Sequence, residues 1–246
     1  MRRFIIPPHA MDADQVTITG DLFHHIAHVL RLKTGIRIRL TDVSGREYTG
    51  IISRVAEESI LVTLEEIREA PATECGPRIT LFQGIPKGDK LELILQKCTE
   101  LGVAGIVPFM ASRSVARVPT GRLKEKLERW QRIVREAARQ SNRTTVPDVS
   151  FAADLAEVLR LAVGSVKLLL WEEEKKGTLK KVLAELPSPE RIAVIVGPEG
   201  GLTAEEVASA VEGGFIPVSL GKRIVRTETA GLAIVAILQF YWGDMG

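Results

Sequence analysis

Near residue 70 the hydrophobic rhythm of this chain changes, and that change constrains the fold more than any other feature. Before it, short alternating segments recur: Gln15-Val16-Thr17-Ile18, Gly35 to Leu40 (GIRIRL), Glu47 to Ile52 (EYTGII) and Ser59 to Leu64 (SILVTL). Turn residues such as Asp42-Val43-Ser44-Gly45 separate them, and the spacing predicts a small β-barrel with one helix around Asp21 to Arg31. After the Pro- and Gly-bearing stretch Ala70 to Pro77, strand-like runs alternate with amphipathic ones. The runs are Arg78 to Gln83, Gly105 to Met110, Val166 to Trp171, Arg191 to Val196 and Ile216 to Leu220. Such alternation predicts a mainly parallel sheet covered by helices. The expected fold class is therefore α/β, with a β-rich module over residues 1–72 and an α/β domain over 73–246.

Local signals place several helices. Leu91, Ile94, Leu95, Cys98 and Leu101 share one helical face that stops at Gly102, a favoured residue just past a helix end. Thr203 followed by Glu206 is a capping-box start. The most apolar run, Ala230 to Trp242, is interrupted by Gln239 and falls short of the roughly 20 residues needed to cross a bilayer, so it predicts a buried core helix. The opening MRRFIIPPHA carries too short an apolar stretch for a signal peptide. Two cysteines, Cys75 and Cys98, cannot staple a scaffold, and they point to reduced thiols and a cytoplasmic setting. With no CxxC spacing and all four histidines in the first 28 residues, no metal site is expected.

The net charge is only +2, but its distribution is uneven. Residues 1–46 carry seven basic side chains against four acids, and residues 111–143 carry ten against three. On an ideal helix Leu123, Leu127, Trp130, Ile133, Val134, Ala137 and Ala138 form an apolar stripe, while Arg122, Lys126, Arg129, Arg132, Arg139 and Arg143 gather on another face. A phosphate-binding face and a solvated surface helix are both consistent with that pattern.

Ligands in open α/β sheets bind beyond the carboxyl ends of the strands. Three such ends carry unusual loops: Gly197-Pro198-Glu199-Gly200-Gly201, the segment Gly221 to Ala230 (GKRIVRTETA), and Glu172-Glu173-Glu174. No G-x-G-x-x-G and no P-loop is present, which weighs against an ordinary dinucleotide enzyme and a P-loop NTPase. What remains is a pocket of backbone groups, where glycines allow close approach and exposed N–H and C=O groups bind a polar ligand edge.

Taken together, GPEGG at 197–201, LGKRIVRTETAG at 220–231, ILQKCTELGVAGIVPF at 94–109, SRSVAR at 112–117 and RWQRIVREAARQSNRTTVPDV at 129–149 resemble the RsmE family. These are S-adenosyl-L-methionine-dependent methyltransferases of the SPOUT superfamily that modify N3 of one uridine in 16S ribosomal RNA. The resemblance spans nearly the whole chain, including RRFII and His24 to Arg31. It implies a C-terminal SPOUT domain with a trefoil knot, an N-terminal PUA-like β-barrel, and a homodimer acting on the small ribosomal subunit. It also implies a cofactor cradle of Leu170, Trp171, Glu172, Gly197, Pro198, Glu199, Gly200, Gly201, Leu220, Gly221, Ile224, Val225, Arg226 and Ala230.

Uracil N3 is a poor nucleophile until its imide proton leaves, so the site needs a base or cationic donors for the charge developing on O2 and O4. Glu199 and Glu228 are the candidate bases, and Arg226 and Arg113 the candidate stabilisers. Glu199 reads equally well as a turn residue satisfying loop N–H groups, and Glu228 reads better as a first-turn helix acid favoured by the dipole than as a base. RNA contacts are expected from Arg2, Arg3, Arg31, Lys33, Arg37, Arg113, Arg132, Arg139 and Arg143. His24, His25 and His28 read as packing or surface residues before RNA contacts. The competing readings are a non-catalytic RNA-binding or ribosome-assembly factor, a DNA-binding regulator using the helix at 121–142, and a SPOUT methyltransferase with another RNA target.

Overall fold

The structure is a computed structural model of the full chain and describes residues 3–6, 10–12, 14–42, 46–68, 76–162, 166–174 and 177–245. Side chains at 3, 11, 12, 66–68 and 120 are outside the description, as are Arg2, the Val43-Ser44-Gly45 part of the expected turn and most of the 70–77 connection. The chain forms two compact units, one of residues 1–73 with 141–145 and one of 74–140 with 146–246.

The first unit is a curled six-stranded sheet, a half-barrel. Its strands are β1 (Arg3–Ile5), β2 (Met11–Asp12), β3 (Gln15–Thr19), β4 (Arg37–Thr41), β5 (Glu47–Val55) and β6 (Ser59–Arg68), in the order β1-β4-β5-β6-β3-β2. All pairs are antiparallel except β1 with β4. Alternation dictates the faces: Val16, Ile18, Ile38, Leu40, Ile52, Ile60 and Val62 are buried, while Arg37 and Arg39 face outward. Register shifts at Thr49/Gly50 and Ile52/Arg54 in β5 supply the bend that curls the sheet. At Gly50 any Cβ would fall 2.7 Å from the Thr63 carbonyl, so only glycine lets β5 and β6 approach there. The expected helix begins as α1 (Gly20–His24) and continues as a π-helical turn (His25–Val29), ending where Arg31 takes φ +51°. Phe23 and Ile26 seal the core beneath it, and the His28 ring packs edge-on to Phe23.

The second unit is a six-stranded, fully parallel sheet of β7 (Arg78–Gly84), β8 (Gly105–Phe109), β9 (Asp148–Val149), β10 (Val166–Leu170), β11 (Arg191–Val196) and β12 (Ile216–Val218), ordered β12-β10-β11-β7-β8-β9. Both faces are covered, which is why its strands read as near-continuous apolar runs. One core holds Ile79, Leu81, Leu168 and Val194 against α2 (Lys90–Glu100), α3 (Leu123–Gln140), α5 (Leu179–Glu185) and α7 (Thr227–Trp242). The other holds Phe82, Phe109, Leu169 and Ile195 against α4 (Leu155–Leu161) and α6 (Ala204–Glu212). Gly102, at φ +90°, closes α2, and Thr203 with Glu206 forms the capping box of α6. No described helix is long and apolar enough to cross a membrane.

One expected basic residue moves. The helix carrying the basic face stops at Gln140 and the chain turns at Asn142 with φ +55°, so Arg143 leaves that face. Its side chain is buried and its guanidinium donates to the Thr145 hydroxyl.

Candidate functional site

Because β10, β11 and β12 run parallel, their carboxyl ends open on one side of the sheet, and three loops meet there. A cavity of about 340 Å³ lies among them, within the range of pockets that hold small ligands. Leu170, Trp171 and Glu172 form one wall. Gly197, Pro198, Glu199 and Gly201 form the second, and Leu220 with Gly221, Ile224 to Arg226 and Ala230 form the third. Gly200 alone of the expected cradle does not line the cavity. Val196, Leu202, Val218, Ser219, Lys222, Arg223 and Thr227 also line it, and sequence reasoning did not single them out as cofactor contacts.

Local chemistry explains the loop shapes. Gly201 donates its N–H to the Pro198 carbonyl at 2.9 Å and takes φ +67°, closing a tight turn. Gly84, at the end of β7, lets Pro198 sit against the backbone: a Cβ there would lie 2.6 Å from the Pro198 nitrogen. In the third loop the Ser219 hydroxyl accepts from the Gly221 N–H at 3.2 Å, and Gly221 adopts φ +128°. The second loop is also gripped from outside. Arg113 donates to the Gly200 carbonyl at 3.1 Å, so Gly200 serves as an attachment point rather than as a wall.

Four side chains distant in sequence hold these loops. Glu206, almost fully buried, accepts from the Ser112 N–H through one oxygen and from the Thr203 N–H through the other, both at 2.8 Å. The capping box that announced α6 therefore also anchors the segment presenting Arg113. Thr227 donates its hydroxyl to the Gly197 carbonyl at 2.6 Å, and Gln83 donates to Thr227 at 2.9 Å. Lys90, in the first turn of α2, reaches Glu199 at 2.7 Å and lies 3.6 Å from Glu228. Thr227 stood in the quoted RTETA motif; Gln83 and Lys90 carried no local signal.

The carboxylates differ in their engagement. Glu199 accepts from the Lys87 N–H at 3.1 Å as well as from Lys90. Partial burial opposes its ionisation, but these bonds outweigh that cost and hold the carboxyl below its ordinary range. Lys90 is correspondingly held above the usual lysine value, chiefly by its bond to Glu199. Glu228, in the first turn of α7, is mostly buried, and its Oε2 has no hydrogen-bond partner. It does not line the cavity. Arg226 is exposed on the cavity wall at the N-cap of α7, beside exposed Lys222 and Arg223.

Of the other basic candidates in this unit, Arg113 and Arg132 are exposed, while Arg139 is half-buried and paired with Glu136. Within the first unit, Arg31 and Lys33 are exposed and Arg37 pairs with Glu65 at 2.8 Å. Arg2 and the side chain of Arg3 lie outside the described residues. Among the described residues no group of three or more His, Cys, Asp or Glu is arranged to hold a metal ion.

Residues 73–239 match the RNA methyltransferase domain family, and residues 18–65 match the RNA methyltransferase PUA domain family. Ribosomal RNA small subunit methyltransferase E of Bacillus subtilis is 34% identical over 238 residues, covering 93% of this chain and 91% of the relative. The chain belongs to the ribosomal RNA small subunit methyltransferase E (RsmE) family. The Synechocystis member is likewise 34% identical, covering 95% of this chain and 76% of its own. Among solved structures, the Neisseria gonorrhoeae member of the family bound to S-adenosyl methionine superposes with a TM-score of 0.87 at 34% identity, covering all of both chains. A Legionella pneumophila methyltransferase in complex with SAM gives a TM-score of 0.87 at 30% identity over 98% of both chains. Family membership makes the cavity at the ends of β10, β11 and β12 the candidate site of methyl transfer.

Proposed function

We propose that this chain transfers the methyl group of S-adenosyl-L-methionine to N3 of a uridine in 16S rRNA of the small ribosomal subunit, acting in the cytoplasm as a homodimer. The observation that carries the reading is the glycine-walled cavity itself: backbone groups from three loops surround a volume suited to a small polar ligand. Gly201 and Gly221 hold positive φ there, so the cradle depends on residues without a Cβ. The bound cofactor supplies a methyl group already activated on a sulfonium.

The chain's own residues then have two tasks, alignment and charge stabilisation. Arg226 is assigned to stabilise negative charge on uracil O2 and O4, a role supported by its exposure on the cavity wall. Arg113, tied to Gly200, is the second candidate cation. Glu199 makes a poor base, since two donors occupy it and hold it ionised. Glu228 is turned to Lys90 and away from the lining. The imide proton therefore leaves to solvent water.

N3 lies on the Watson–Crick edge, so the uridine must be unpaired or flipped out to react. Arg113, Arg132 and Arg139 in one unit and Arg2, Arg3, Arg31, Lys33 and Arg37 in the other are assigned to the RNA. The dimer is supported by α7, which leaves Ile237, Phe240 and Tyr241 exposed along one side. A knotted crossing belongs to the same proposal, supported by the bond from Thr227 to Gly197, which ties the start of α7 to the loop leaving β11.

The test is to incubate the purified protein with labelled cofactor and unmodified small subunits and to locate the modified base by mass spectrometry. A methyl group on uracil N3 is expected. Transfer to a cytosine or a ribose hydroxyl overturns the target, and absence of transfer with retained RNA binding favours the assembly-factor reading.

A further inference from the structure

Gln83 is fully buried at the end of β7, and a polar amide in that position needs a reason. Its Nε2 donates to the Thr227 hydroxyl at 2.9 Å and to the Gly84 carbonyl at 3.0 Å. The Thr227 hydroxyl has one proton, and that proton goes to the Gly197 carbonyl at 2.6 Å. Thr227 can therefore only accept from residue 83, which forces the amide nitrogen toward it. The amide oxygen is left without a hydrogen-bond partner. It faces Gly231 of α7, where a Cβ would come within 3.1 Å of it.

An orphaned buried acceptor and a glycine in a helix interior are both unfavourable. Both follow from seating this one amide. The groups it joins are those that shape the cavity. Gly84 receives Pro198, Gly197 begins the second wall, and Thr227 begins α7 just beyond Arg226.

We infer that Gln83 and Thr227 are positioning residues for the cofactor cavity: a buried relay from Gln83 through Thr227 to the Gly197 carbonyl fixes the second and third walls against each other. The inference rests on the cofactor reading above. Residue 83 does not line the cavity, so it acts through the loops it holds.

The test compares Thr227→Val, Thr227→Ser, Gln83→Met and the Val/Met double variant of the full chain, measuring S-adenosylmethionine affinity by calorimetry, turnover against cofactor concentration, and thermal midpoint. Thr227→Val is expected to raise the cofactor Kd about tenfold, and Thr227→Ser, which keeps the hydroxyl, less than about twofold. Gln83→Met is expected to raise it severalfold, with the effect in KM for the cofactor and turnover at saturation little changed. The double variant should resemble Thr227→Val alone, because both substitutions break one relay. Unchanged affinity in folded Thr227→Val, or strictly additive effects, overturns the inference. Should Thr227→Val fail to fold, Gln83→Met, which leaves the Thr227–Gly197 bond in place, decides by the same criterion. A wild-type protein with no affinity for the cofactor removes the function reading instead. The relay is then judged on hydrogen exchange of Gly201 and the first turn of α7, which Thr227→Val should accelerate and Thr227→Ser should not.

Discussion

Replacing Glu206 by alanine isolates the most consequential anchor outside the cavity. Its two oxygens accept from Ser112 and Thr203, each at 2.8 Å, and the residue is only 8% exposed. A hydrogen bond to a charged group contributes about 1.5–3 kcal/mol. Ser112 is exposed, so water replaces part of what its N–H loses, and the expected destabilisation is about 2–3 kcal/mol for the pair. For a chain of this size that lowers the thermal midpoint by about 4–12 °C. Thr203→Ala removes the return bond of the capping box, 3.2 Å from the Glu206 N–H, together with the hydroxyl's bond to the exposed Glu205 carboxylate, and should cost about 1 kcal/mol. Glu206→Gln keeps the shape but sets an amide NH₂ against one of two N–H donors, so it should fall nearer Ala than wild type. Calorimetric unfolding of the three variants supplies the measurement. If Glu206→Ala costs no more than Thr203→Ala, the arm to Ser112 contributes nothing and the 111–117 segment is held by other means.

Three further outcomes follow from the site. A Cβ at Gly221 meets no atom within 4 Å, so the φ +128° backbone dominates the cost of Gly221→Val, about 1–3 kcal/mol, and the relaxing loop should abolish cofactor binding; unchanged affinity by calorimetry would show that this loop is not a cavity wall. Cys98 is fully buried and desolvation pushes its thiol up to about 12, so iodoacetamide should label it only after unfolding, as peptide mass spectrometry would report. Glu199 titrates below its ordinary value when folded, so its contribution is present above the ordinary carboxylate pKa and is lost as pH falls through the depressed one. Lys90→Met, which removes the main donor, should flatten that acid limb in urea midpoints taken from about pH 6 to 3; an unaltered limb would mean that the Lys90–Glu199 bond is not formed in solution.

How much was legible depended on how local each signal was. The strands of the second unit were visible because burial on both faces leaves apolar runs such as Arg191 to Val196, whose observed bounds coincide with the expected ones. The helices α4 and α5, seven residues each, are too short for a helical period to stand out, and β9 has only two residues. The π-helical continuation of α1 rests on the Leu30 N–H reaching back to His25, a choice no side-chain pattern announced. At the site, the glycine loops were legible because strand-end glycines carry their own backbone logic. Their anchors were not: Gln83 meets Thr227 across 144 positions and Lys90 meets Glu199 across 109. Arg143 failed for a related reason, since helical spacing extrapolated a face past the point where Asn142 ends it.

The charges around the cavity sort by loop, acids on the first and second walls and bases on the third, and that grouping separates two kinds of binding. Glu172 and Glu199 stand in the lining, where they suit a cationic sulfonium ligand. Exposed Lys222, Arg223 and Arg226 stand on the third loop and suit a polyanion, with Arg113 exposed where it holds the second loop from outside. A unit pair at 4 Å is worth about 1 kcal/mol in water and about 4 kcal/mol at the effective dielectric of a protein surface. Salt screens exposed pairs beyond about 8 Å at physiological strength, but changes enclosed ones far less. Phosphate binding also releases counterions, which steepens its salt dependence with each contact made. RNA affinity should therefore fall linearly in log–log form as salt rises, with a slope that shrinks by about one when Arg132, assigned to a phosphate, is replaced by alanine. Cofactor affinity over the same range should stay nearly flat. Equal salt slopes for the two ligands would mean that the acidic walls and the basic third loop are not separate surfaces, and the division of labour between them would fail as well.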